Sequence, residues 1–177
     1  MYPIGATLNC LNNGISKMKI TIGDKDMGET AANIQKYNNY KEQMIRLKKA
    51  LSNGFYLEAI FIEYAVMEDR LESALRHANL WNPKPNQFVS LDKKCKNIAK
   101  MAESKKNLAS RYFSKELTDS VLTWKEERNK LIHALLKQSL HTEDLQAVAE
   151  KGEVIVKQLC SKTTSFKRAL ERAAAKN

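Results

Sequence analysis

Trp124-Lys125-Glu126-Glu127-Arg128-Asn129-Lys130-Leu131-Ile132-His133 lies in the stretch whose apolar pattern decides the fold. Read as a helix, at about 100° per residue, it carries two apolar stripes rather than one. Leu117, Val121, Trp124, Leu131 and Leu135 share a stripe with Arg128, and Leu122, Leu136 and Leu140 share another with His133. Arg128 and His133 are then roughly 140° apart around the axis and face different neighbours. A helix apolar on two sides needs two partners. This segment therefore belongs in a helical bundle, where the second partner can be another copy of the chain.

Working outward, the same periodicity predicts further helices. One runs from about Glu29 to Leu51, with Ile34, Tyr37, Met44, Leu47 and Leu51 near one face, and Asn53-Gly54 ends it. The next, Phe55 to about Leu80, is the most apolar segment, and Trp81-Asn82-Pro83-Lys84-Pro85 stops it. Its core face includes Ala59, Ile60, Ile62, Val66, Met67 and Leu71, with Glu63 in their midst. A third helix, Leu91 to about Ala109, is capped by Ser90, has Asp92 in its first turn, and carries the thin apolar set Ile98, Met101 and Leu108. Ser114 caps the helix that continues through the opening stretch to about Gln138. The last begins at Thr142-Glu143-Asp144, read as an N-cap with an acidic first turn, and carries Leu145, Val148, Ile155, Leu159, Phe166, Leu170 and Ala173 at near-heptad spacing.

Residues 1–28 are richer in Asn, Gly and Thr; Asn13-Gly14 between Leu8–Leu11 and Met18–Ile22 suggests a small hairpin, or else an irregular tail. The expected architecture is all-α: a bundle of about five helices over 29–177, preceded by that segment. Composition agrees, since 6 glycines, 3 prolines and 7% aromatics among 177 residues disfavour a sheet protein. Cys10, Cys95 and Cys160 are odd in number and far apart, as ordinary cytosolic thiols would be. The most apolar run, Ala59 to Met67, is broken by Glu63 and is too short to span a bilayer. The chain opens on no basic leader, so the expected location is cytoplasmic, with no membrane partner. No Gly-rich phosphate loop, metal-ligand spacing or Gly-x-Ser-x-Gly elbow is present, so neither a metal nor a cofactor is expected.

The net charge of +10 points to a polyanionic partner. Lys93 to Lys106 is a lysine-rich run, and Lys162 to Lys176 is basic again. Each run is either a solvated face or a set of phosphate contacts. Lys93, Lys94 and Lys96 are the candidates on the third helix, and Lys130 and Lys137 those flanking His133.

Arg128-Asn129-Lys130-Leu131-Ile132-His133 resembles the Arg-x4-6-His signature of the HEPN superfamily, all-helical proteins many of which are metal-independent ribonucleases of bacterial defence and toxin-antitoxin systems. The Arg-Asn start and the Leu-Ile pair before the histidine are common there. The likeness covers about Glu29 to the C-terminus. One toxin subgroup has a tyrosine two residues after the histidine, where this chain has Leu135; the likeness does not extend to that subgroup's AMP-transfer regulation.

The resemblance implies an RNA-cutting hydrolase of phage defence or a toxin-antitoxin pair, acting as a homodimer, with an antitoxin protein as a possible partner. Its catalytic set here would be Arg128, His133, Asn129 and Glu63. Cleavage by the RNA's own 2′-hydroxyl needs a base, an acid and positive charge on the phosphorane. A histidine can be either acid or base near neutrality, but each chain brings only one to the motif, so a dimer would supply the second. Glu63, an acid on an apolar face, needs a partner. Arg128 is the candidate, as a structural ion pair or as a guanidinium held for catalysis. Asn129 is either a donor to phosphate or histidine, or a polar surface residue. Trp124 suits a core position better than base stacking, and His77 and His141 read as helix-end residues. The alternatives to a nuclease are a non-catalytic HEPN-like module that binds RNA or protein, or the helical subunit of a toxin-antitoxin pair.

Overall fold

The computed structural model describes residues 24–84, 86–103, 107–135, 137 and 141–176. The proposed hairpin between Leu8 and Ile22 and the stripe positions Leu136 and Leu140 lie outside them. The chain divides into two compact units, 1–40 and 41–177. In the first, the described residues 24–40 are helical, the opening part of α1 (Asp24–Ser52), which begins earlier than the periodicity suggests.

The second unit is a helical bundle, and no strand occurs among the described residues. After the end of α1 come α2 (Tyr56–His77), α3 (Leu91–Glu103), one turn of 3-10 helix (Leu108–Arg111), α4 (Lys115–Ala134) and α5 (Thr142–Ala174). None of the described helices is long and apolar enough to cross a membrane.

The element ends have local causes. Gly54, at φ 74°, closes α1 as its left-handed residue: its N–H donates to Leu51 O and that of Phe55 to Ala50 O, which satisfies two terminal carbonyls. Asn79, at φ 56°, does the same for α2, with Asn79 N donating to Arg76 O and Leu80 N to Leu75 O. The prolines expected to stop this helix come after it has already ended. Ser114 Oγ accepts from Leu117 N at the start of α4, and Ser90 Oγ from Lys93 N at the start of α3. α3 ends at Glu103, short of Ala109, and Asn107 caps a separate 3-10 turn by accepting from Ala109 N. α5 does begin at Thr142, but His141 occupies the cap position, without a side-chain hydrogen bond.

α2 packs most extensively on α5; α3 packs against α2 and α4, and α4 also against α5. All six expected core residues of α2 are buried, as are Ala149, Gly152, Ile155, Val156, Leu159, Thr163 and Phe166 of α5. Thr163 Oγ1 donates to Arg70 O, tying the two helices together. Of the α4 stripe, Leu117, Val121 and Trp124 are buried and Leu131 half-buried, while Leu135 is exposed. Trp124 is a core residue, its Nε1 donating to Val148 O at 2.8 Å.

Candidate functional site

Arg128 and His133 lie on α4 and look in different directions, as their spacing requires. The Arg128 guanidinium turns to α2, where its Cζ stands 4.9 Å from the ring centre of Tyr64 and 5.4 Å from that of Phe61. These rings sit one turn apart on α2 and offer their negative faces to the cation. Arg128 Nη1 donates to Asn129 Oδ1 at 3.1 Å, while its Nε is buried without a partner. No carboxylate of the described residues lies within ion-pair distance of Arg128. These contacts hold the guanidinium in place, and no acid among the described residues neutralises it. Tyr64 is more deeply set than Phe61; burial, and after it Glu68, push its hydroxyl up despite the opposing pull of Arg128.

His133, in the last turn of α4, is exposed. It lines an open groove of about 490 Å³ with Glu126, Asn129, Lys130, Ala134 and Lys137. Asn129 belongs to both halves of the motif: its Oδ1 accepts from Arg128 Nη1, and the residue lines the groove. Lys130 and Lys137 are exposed on the same groove.

Glu63 is elsewhere. It is 0% exposed, and neither carboxyl oxygen finds a hydrogen-bond partner. The expected pairing with Arg128 is not made. The acid lies instead on the α5-facing stripe of α2, against Gly152 and beside Trp124, whereas Arg128 meets the Phe61–Tyr64 face. Burial, with the nearby Glu153 adding to it, pushes its pKa up to about 9. At neutral pH Glu63 is a neutral acid in the core, remote from water and unable to touch a bound substrate.

The third-helix lysines separate. Lys94 is only 5% exposed, and its Nζ sits 3.0 Å from Glu72 Oε2, 3.2 Å from Glu68 Oε1 and 5.2 Å from the Trp81 ring centre. Its charge is already answered inside the fold, so it is not placed to meet phosphate. Lys93 and Lys96 are exposed, but Lys96 lines a different groove, formed by α3, the 3-10 turn and the start of α4. The motif groove and Lys96 thus belong to separate surfaces.

Sequence reasoning missed Phe61 and Tyr64. Their signal was two aromatics at helical spacing on the edge of the α2 core face. Cys95 is buried, and burial pushes its thiol up to about 12, which leaves it unreactive. Among the described residues no group of three or more His, Cys, Asp or Glu is arranged to hold a metal ion. Compared with protein-family models, with curated proteins and with solved structures, the chain finds no match.

Proposed function

We propose that this protein is a metal-independent endoribonuclease of the HEPN kind, acting at a site that two copies of the chain share. The observation that carries the reading is the state of Arg128: a half-buried guanidinium fixed by two aromatic rings and one amide, with no carboxylate partner among the described residues. A guanidinium held rigid without a carboxylate partner is ready for an external anion. The phosphodiester of RNA fits it, and the net charge of +10 favours approach of such a polyanion.

In this reading one His133 imidazole takes the proton from the 2′-hydroxyl as its oxygen bonds to phosphorus. The His133 of a second copy gives a proton to the departing 5′-oxygen as the P–O5′ bond breaks. Arg128, directed away from the His133 of its own chain, offsets the charge on the phosphorane from across the shared site, and Asn129 donates to a phosphate oxygen. The products are a 2′,3′-cyclic phosphate and a 5′-hydroxyl. The exposure of His133 in an open groove supports its access to substrate and to a second copy. Glu63 has no part in this chemistry.

A second reading, a non-catalytic module, draws on the same contacts, since an arginine clamped by Phe61 and Tyr64 also pins α2 to α4. Cleavage decides between them. The nuclease cuts single-stranded RNA in EDTA, while Arg128→Ala and His133→Ala each lose on the order of 10²-fold or more in rate. Full activity in both variants, or RNA binding with no cutting by the wild-type protein, disposes of the nuclease.

A further inference from the structure

We propose that Phe61 is a base-stacking platform which, beside Arg128, makes the site selective for single-stranded RNA. The proposal rests on the ribonuclease reading above and deepens it. Phe61 is 52% exposed, whereas the chain buries Phe113, Phe166 and Trp124 completely or nearly so. Phe55 and Phe88 are exposed too, but neither ring has a cation of the described residues against it. Among the described residues Trp81 also has a guanidinium against it, but that ring is half-buried and its Arg76 is paired with Glu72, whereas Phe61 combines an exposed ring with a guanidinium that no described carboxylate pairs.

That pairing suits one kind of ligand. A nucleobase laid on the open part of the ring brings the backbone phosphate next to it toward Arg128. Stacking is tolerant of base identity because every base has a π-face, whereas the phosphate contact is common to all strands. In a duplex the base faces are already stacked on one another and cannot lie on a side chain. An exposed aromatic beside a phosphate-binding arginine therefore discriminates by strandedness, not by sequence. Tyr64, more deeply set, holds the guanidinium from within and is not part of the platform.

The test is binding to the full chain carrying His133→Ala, which prevents cleavage during the titration. The probes are a fluorescently labelled oligoadenylate and a blunt RNA duplex. Phe61→Leu keeps an apolar side chain but removes the π-face, and Phe61→Trp keeps the π-face. Phe61→Leu is expected to weaken oligoadenylate binding by on the order of ten-fold, with duplex binding little changed, and Phe61→Trp to bind oligoadenylate as well as the parent or better. Unchanged oligoadenylate binding in Phe61→Leu, an equal fall for both probes, or a Phe61→Trp protein as weak as Phe61→Leu overturns the platform while leaving the ribonuclease reading in place. A parent protein that binds neither probe removes both.

Discussion

Gly152 of α5 lies directly under the Glu63 carboxyl of α2, so closely that a methyl group at 152 would come within 2.6 Å of Glu63 Cδ and 2.8 Å of Trp124 Nε1. Neither neighbour can readily move away. Glu63 is sealed in the core, and the Trp124 indole is tied to Val148 O. In an exposed helix interior Gly→Ala stabilises by about 0.5–1 kcal/mol. Here the sign reverses: Gly152→Ala is expected to destabilise by about 1–3 kcal/mol, measured by urea unfolding. Glu63→Ala in the same chain relieves part of that loss, so the double variant departs from additivity. A Gly152→Ala protein more stable than wild type contradicts the packing.

The protonation of Glu63 gives stability a pH dependence of predictable sign. Its folded pKa of about 9 lies above the ordinary 4.5, so between those values the folded chain keeps a proton that the unfolded chain releases. The stabilisation linked to this residue is complete below the unfolded pKa and is lost as pH rises to the folded one, at no more than about 1.4 kcal/mol per pH unit. Glu63→Gln, which keeps the shape and cannot ionise, is expected to flatten this slope and to raise the melting temperature relative to wild type at pH 8. The same fall in stability in wild type and variant from pH 5 to 8 contradicts a neutral buried acid.

The lysines divide by what answers their charge. Lys94→Ala leaves Glu68 and Glu72 without their shared cation and is expected to cost about 1–3 kcal/mol of stability, since those carboxylates are partly solvated. Lys93→Ala is expected to cost almost nothing. The double variant Lys130→Ala, Lys137→Ala should fold normally and bind single-stranded RNA with a shallower salt dependence, the slope falling by about 1.4 if each lysine meets one phosphate. An unchanged slope means that the His133 groove does not carry the strand.

Much of the fold was legible in the sequence because helix signals are local. The α2 core face, the caps Ser90 and Ser114, and the left-handed Gly54 all stand where periodicity and capping chemistry place them. Asn79 was overlooked because the prolines behind it gave a louder stop signal. Lys94 read as a phosphate contact within a lysine run, although Leu91, Cys95 and Ile98 at helical spacing put it on the buried face. What Glu63 packs against was not legible, because a stripe gives the direction a residue faces and not the rotation of the helix opposite. The readable signal was Gly152, an isolated glycine in the middle of a long helix, which marks a close approach.

The central claim is that Arg128 and His133 cut RNA through its own 2′-hydroxyl, and it is tested most directly by the 3′ ends of fragments released in EDTA, read by mass spectrometry. The account predicts 2′,3′-cyclic phosphates from the wild-type protein and no such fragments from Arg128→Ala or His133→Ala. Fragments ending in a 3′-hydroxyl, or cyclic phosphates formed equally well by the His133→Ala protein, would contradict it.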